Sequence, residues 1–403
     1  MTKKKDLPEI HDPLYDLEEA APGPSAPSGK STSAAIDIPE PTMVPAIEIQ
    51  KAEDLGDKFT SAIRMAFIGA GQGGGRIAQS FYNFGYRRVC AVNTTDQDFA
   101  SLTLPNRLII GNNRGGAGKD PEQGEMAAKE SYEDIMDLLM RSWGEGVEQM
   151  FVCVGAGGGS GTGSWPVLLD AMREFGKSTN IEKPFYKHLG VIMTMPKRSE
   201  GARVQRNAHK AIELALDKLE KHQISALILV DNAKIHELYP GLPVKMFWNV
   251  ANDNFAGIFH TFNLLAAQDS EYNTFDRADF RSVIRNGMMI FGRTRVEQWK
   301  GKEDISVAVR QNLKKTLLAD GFDLSKANTA GAIVVAHDDV LQAVPMENID
   351  YAFNSLGRAL GNEGITLHNG IYEGRRAGME VFTIISGLEA PSSRIAELDK
   401  LST

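Results

Sequence analysis

From about residue 60 onward, short runs of consecutive apolar residues alternate with segments of helical periodicity. The runs predict buried strands at 64–69, 88–92, 107–110, 149–154, 187–195 and 225–230. Apolar positions recurring at helical spacing predict helices between them, among them 122–141, 162–175 and 200–220. Continuous rather than alternating apolar strands imply a parallel sheet covered on both faces, an α/β fold. Val244 to Gln268 then holds a helical pattern for some 25 residues, roughly 37 Å of helix, carrying Trp248, Val250, Ala251, Phe255, Ile258, Phe259 and Leu264. Beyond it, strands near 287–293, 331–336, 365–372 and 379–386 mix with helices near 304–316 and 347–360, the pattern of a smaller α+β unit. No internal repeat is evident.

Residues 1 to about 58 break this pattern. They are rich in Pro, Ser, Ala, Glu and Asp and predict a disordered extension. Within it, His11 to Leu17 reads either as a short partner-binding peptide or as part of a solvated tail.

Two strand-to-helix junctions are crowded with glycine. The strand Arg64 to Ile68 runs into Gly69-Ala70-Gly71-Gln72-Gly73-Gly74-Gly75-Arg76, and Met150 to Val154 runs into Gly157-Gly158-Gly159-Ser160-Gly161-Thr162-Gly163-Ser164. Such loops bring backbone N–H groups against an anion, because a Cβ would block the approach and forbid positive φ. The first cluster also matches the G-x-G-x-x-G dinucleotide pattern, with Asp96 downstream, so an NAD(P)-dependent oxidoreductase competes as a reading. A dinucleotide needs only that loop, whereas two loops can hold a nucleoside triphosphate from both sides. No G-x-x-x-x-G-K-[ST] P-loop occurs: Gly23 to Ser31 has one residue too many and no strand before it, and Gly118-Lys119 is followed by Asp120.

In chain order, these residues resemble the tubulin/FtsZ superfamily, and FtsZ more than eukaryotic tubulin. Gly157 to Gly163 matches the signature G-G-G-[TS]-G-[TS]-G. Around it fall Gly71 to Arg76, Ala91-Val92-Asn93-Thr94, Gly115 to Glu122, Glu200-Gly201, Asn232, Trp248 with Asn252, and Asp276-Arg277-Ala278-Asp279. The resemblance covers roughly residues 63 to 390 and implies a Rossmann-like GTPase domain at 59–240, a central helix at 241–270, an activation domain at 271–390 and a short tail at 391–403.

It further implies GTP or GDP bound with Mg2+. The phosphates would meet Gly71, Gln72, Gly73, Gly74, Gly75, Arg76, Asn93, Gly116, Ala117, Gly118, Gly158, Gly159, Ser160, Gly161, Thr162 and Gly163. Ser160, Thr162 and Ser164 add hydroxyls, and Lys119 offers either positive charge or a solvated side chain. Asn232 and Asn252 stand where guanine is read, since an amide presents donor and acceptor together. Trp248 lies one turn before Asn252, either stacking on the base or simply packed in the core. Glu200, with Arg203 or Arg206, resembles the ribose-contacting pair. Asp276 and Asp279 match the catalytic loop N-x-D-x-A-D-x-R, with Thr274 in place of Asn and Arg277 in place of an apolar residue. That loop would act on the nucleotide of the next molecule, which gives head-to-tail filaments and a GTPase activated by assembly, in cell division or in DNA or virion positioning. A GTP-binding regulator that never polymerises is a further reading.

Composition narrows the partners. A net charge of −8 argues against nucleic acid as the main ligand. Cys90 and Cys153 fall in core strands and read as small buried hydrophobes. No apolar run reaches membrane-span length and the Lys-rich start lacks a signal-peptide core, which predicts a soluble cytoplasmic protein. An adaptor or membrane-anchor protein would attach through the amino-terminal extension.

Overall fold

A computed structural model of the chain describes residues 57–112, 115–238, 241, 243–296, 301–314, 321–361 and 364–403. Most of the expected disordered extension, including His11 to Leu17, lies outside the described residues.

Among the described residues, ten strands form one mixed sheet. The first half is β1 (Met65–Ala70), β2 (Val89–Asn93), β3 (Arg107–Ile109), β4 (Gln149–Gly155), β5 (Leu189–Met195) and β6 (Ala226–Asp231). The second is β7 (Gly287–Val296), β8 (Thr329–Ala336), β9 (Thr366–Glu373) and β10 (Met379–Leu388). Their order is β3-β2-β1-β4-β5-β6-β7-β10-β8-β9. β1 to β6 are all parallel, whereas β10 runs antiparallel to both β7 and β8. The halves join where Ala226 and Leu227 pair with Gly287 and Met288. Strand order reverses between β1 and β4, the position where open α/β sheets leave a crevice at their carboxyl ends.

Twelve α-helices lie among the described residues. α1 (Gly71–Asn83), α2 (Pro121–Glu130), α3 (Tyr132–Trp143), α4 (Ser160–Ser178), α5 (Ala202–Glu220) and α6 (Asn232–Leu238) serve the first half. α7 (Val244–Leu265) is the long central helix, and α8 (Arg277–Ile284), α9 (Lys302–Lys314), α10 (Asp338–Ala343), α11 (Met346–Leu360) and α12 (Ser392–Leu401) follow. The span expected as a single helix at 122–141 is two, broken at Ser131. There the backbone leaves helical dihedrals, at φ −101° and ψ 21°, and the serine hydroxyl accepts a hydrogen bond from Gly111 N at 2.8 Å. Residues 391–403, expected as a tail, contain α12. The residue types did not announce it, because its stabilising partners lie elsewhere in the chain.

α7 is held to both halves by aromatic packing. The Phe259 ring lies 5.7 Å from Phe81 and from Phe151 on one side, and 5.6 Å from Phe291 and 6.0 Å from Phe280 on the other. All five rings are buried, and edge-to-face contacts of this kind add to the burial term. Cys90 and Cys153 are fully buried on β2 and β4 with β1 between them. Two strand spacings, about 10 Å, exceed the reach of a disulfide. Burial pushes the Cys90 thiol up to about 12, so it stays protonated and inert.

Candidate functional site

The glycine loops meet in one open cleft of about 390 Å³ at the carboxyl ends of β1, β4, β5 and β6. They pack without side chains between them. Gly71 sits at φ +66°, and a Cβ there would lie 2.7 Å from Gly161 N. A Cβ on Gly161 would lie 2.5 Å from Ala70 O. Glycine is therefore required at both positions if the two helices are to start side by side.

Those helix starts are uncapped. Neither α1 nor α4 has a side-chain cap, and neither carries an acidic residue in its first turn. By contrast α2 is capped by Asp120, whose carboxylate accepts from Glu122 N, and α8 by Asp276. Two helices of 13 and 19 residues thus aim free N–H groups and the positive ends of their dipoles into one cleft. That arrangement is suited to an anion.

Of the residues singled out from sequence, Gly71, Gln72, Gly73, Arg76, Gly116, Ala117, Gly118, Gly158, Gly159, Ser160, Gly161, Glu200, Asn232, Trp248 and Asn252 line the cleft. Six others lie behind or beside it. A Cβ on Gly74 would stand 2.0 Å from Cys153 O and one on Gly163 1.9 Å from Pro121 O, so these glycines serve helix packing; Gly75 is buried against Leu102. Asn93 is buried, accepting from Thr94 N at 2.8 Å and donating to Asp98 Oδ2 at 2.9 Å. The Thr162 hydroxyl is engaged inside its own loop, accepting from Gly157 N at 3.0 Å. Arg203 is exposed on α5, and Arg206 instead donates to Ser402 O at 2.7 Å.

Thr95, Asp98, Lys119, Thr194, Pro196 and Val204 also line the cleft. Of these only Lys119 was weighed from sequence. Asp98 organises the wall beneath the first loop, accepting from Gln72 Nε2 and Asn93 Nδ2 at 2.9 Å each. Its only sequence signal is a carboxylate five residues after the strand-end Asn93. Thr94 Oγ1 and Ser160 Oγ, 2.6 Å apart, tie the end of β2 to the start of α4. Trp248 is half-buried, with the Arg76 guanidinium 5.6 Å and the Lys197 ammonium 5.3 Å from its ring centre. The two cations rest against an aromatic that lines the cleft.

Asp276 and Asp279 stand elsewhere. Asp276 caps α8, accepting from Ala278 N at 2.7 Å and Asp279 N at 2.9 Å, while Asp279 accepts back from Asp276 N at 3.1 Å. His368 pairs with Asp279 at 2.7 Å. The next residue, Arg277, forms an ion pair with Glu148, as does Arg281 at 3.3 Å. Glu148 immediately precedes β4, and the glycine loop follows it. The seven residues of β4 separate the two features by roughly 20 Å.

No group of three or more His, Cys, Asp or Glu residues placed to hold a metal occurs among the described residues. Magnesium does not need one, because it keeps several waters and binds through substrate phosphates. Asp98 and the Ser160 hydroxyl are oxygen donors compatible with such a water-mediated site. Among the described residues, no helix is long and apolar enough to cross a membrane.

The fold and cleft define an α/β nucleotide-binding protein with a second α+β half. Residues 64–240 match the family described as "Tubulin/FtsZ family, GTPase domain". Cell division protein FtsZ 1 of Pyrococcus furiosus is 31% identical over 295 residues, 72% of each chain. Among solved structures, CetZ2 from Haloferax volcanii, a GTPgS-bound protofilament, superposes with a TM-score of 0.68 at 22% identity, over 84% of this chain and 97% of that one. A GTPyS-form protofilament of Bacillus thuringiensis serovar israelensis TubZ gives 0.72 at 20%, over 85% and 92%. The chain belongs to the tubulin/FtsZ family, and its activity is that of a GTPase. The oxidoreductase reading falls with that assignment.

Proposed function

We propose that this protein is a GTP-dependent, self-assembling filament protein that hydrolyses GTP between successive subunits. The observation that carries the reading is the separation of its two halves of chemistry: uncapped helix starts at one end of β4 and paired carboxylates at the other. An acid roughly 20 Å from the phosphates does nothing for its own nucleotide, but head-to-tail stacking brings it to the neighbour's. The CetZ2 and TubZ protofilaments support assembly of this kind.

In this reading the N–H groups of α1 and α4 and the Gly116–Gly118 loop hold the phosphates. Asn232 and Asn252 read guanine, Trp248 stacks on it, and Glu200 meets the ribose. Magnesium, when bound to the phosphates, offsets their charge. Asp276 and Asp279 of the following subunit orient the attacking water, which suits a reaction that depends on positioning and charge stabilisation. The cellular role we assign is positional, in cell division or in moving DNA or virions, in the cytoplasm, with an adaptor or membrane anchor recruited by the amino-terminal extension.

The test is right-angle light scattering and electron microscopy with GTP, magnesium and a slowly hydrolysed GTP analogue. Filaments that persist with the analogue and disassemble with GTP are expected. Hydrolysis whose per-molecule rate is unchanged on dilution to monomers overturns the shared site.

A further inference from the structure

The cleft's base-side wall is fastened by a residue far from it in sequence. Arg394, on α12, is 2% exposed. Its Nε donates to Asp231 Oδ2 at 2.7 Å, and its Nη2 donates to Asp231 Oδ1 at 3.2 Å and to Pro196 O at 2.9 Å. Asp231 Oδ1 also accepts from Ala233 N at 2.9 Å. Asn232 is thus bracketed: the residue before it is clamped by Arg394, and the residue after it hangs from the same carboxylate. Pro196 and Glu200, on the loop between β5 and α5, form the adjoining wall of the cleft.

Other bonds hold α12 in place. Glu397 accepts from Arg394 Nη1 at 2.9 Å and from Arg198 Nε at 2.6 Å, and Arg206 donates to Ser402 O at 2.7 Å. One guanidinium therefore joins three segments, two of which line the cleft. A planar fork with fixed donors sets relative positions in a way a flexible ammonium does not. Arg394 itself does not line the cleft; it reaches only the backbone of Pro196 in its wall.

We infer that Arg394 is a positioning residue for base recognition, and that α12 is a clamp whose docking sets the guanine-reading geometry of Asn232. The inference rests on the reading of Asn232 as a base-contacting residue. Phosphate binding lies at the helix starts of α1 and α4 and does not depend on the clamp. Coupling is reciprocal, so a guanine nucleotide bound at Asn232 stabilises α12 in its docked position.

The experiment measures GDP and ADP affinities by calorimetry for the full chain and for Arg394→Met, Arg394→Lys, Glu397→Gln and Asn232→Ala. Arg394→Met is expected to lower the GDP-over-ADP preference by about tenfold while leaving ADP affinity within about twofold. Arg394→Lys should recover part of the preference, and Glu397→Gln, which spares the Asp231 pair, should keep it. Hydrogen exchange on the unmodified chain supplies a reading that needs no variant: GDP slows exchange in 392–401 more than ADP does. A preference lost in Asn232→Ala but kept in a folded Arg394→Met overturns the clamp. A preference kept in Asn232→Ala instead overturns the base reading on which the clamp depends. If Arg394→Met does not fold, equal exchange in 392–401 with GDP and ADP overturns the inference.

Discussion

Replacing Asp279 by alanine separates what this side chain does for its own fold from what it does in an assembled filament. Within the subunit it closes a capping box with Asp276 and pairs with His368. Losing such a cap contributes about 1 kcal/mol. The His368 pair is partly exposed, 26% on the Asp279 side, and is worth roughly 0.5 kcal/mol. A structural loss of about 1.5 kcal/mol lowers Tm by only a few degrees in a chain of this size. Its influence on nucleotide in its own cleft is smaller still, since two charges 20 Å apart in water interact by about 0.2 kcal/mol. If Asp279 orients the attacking water of the neighbouring site, its loss slows turnover by about 10² to 10⁴. The assay is phosphate release at a concentration where scattering shows polymer, beside GDP titration and thermal melting. Near-normal GDP affinity, a small drop in Tm, a collapse in turnover and longer-lived polymers are expected. Turnover within about fivefold of the parent in polymer, against that predicted range, refutes the reasoning.

Two further outcomes follow from the geometry. Gly161→Ala drives a Cβ to within 2.5 Å of Ala70 O and parts the two helix starts, so GDP binding measured by calorimetry should be lost, with a stability cost of about 1 to 3 kcal/mol; parental affinity would show that the loops do not share a ligand. His260, buried on α7 against Phe59, Phe84 and Tyr86, is held down to about 4 by desolvation from an ordinary 6.5. The unfolded chain takes up this proton as pH falls below 6.5 while the folded chain does not until near 4, so folding loses about 2 kcal/mol between pH 7.5 and 5. Denaturant titrations should show that share of the loss disappear in His260→Phe, and an unchanged pH dependence would count against the buried neutral imidazole.

Much of this protein was legible along the chain because its strongest signals are local. Apolar runs of β-strand length report strands buried on both faces, and the five parallel strand pairings from β1 to β6 and β2 to β3 connect segments read that way. Glycines at strand ends report close backbone approach, which a one-dimensional pattern records faithfully. Composition could not say which glycines face the cleft: Gly71 and Gly161 line it, whereas Gly74 and Gly163 are just as necessary but face neighbouring backbone. Nor could it break the 122–141 span, because the backbone turns at Ser131, whose hydroxyl bonds to Gly111 twenty residues away.

The amino-acid order by itself determined the alternation of elements, the two glycine-rich loops and the acidic motif after the long helix, since each depends on neighbours within a few residues. Tertiary structure alone decided that the acids and the loops occupy opposite ends of β4, and that the carboxyl-terminal segment is a docked helix. The bond between Arg394 and Asp231 spans 163 residues, and no periodicity encodes a partner at that distance. A buried charge finds its counter-ion only when the sheet has brought both to one place, because desolvation makes the unpaired alternative too costly.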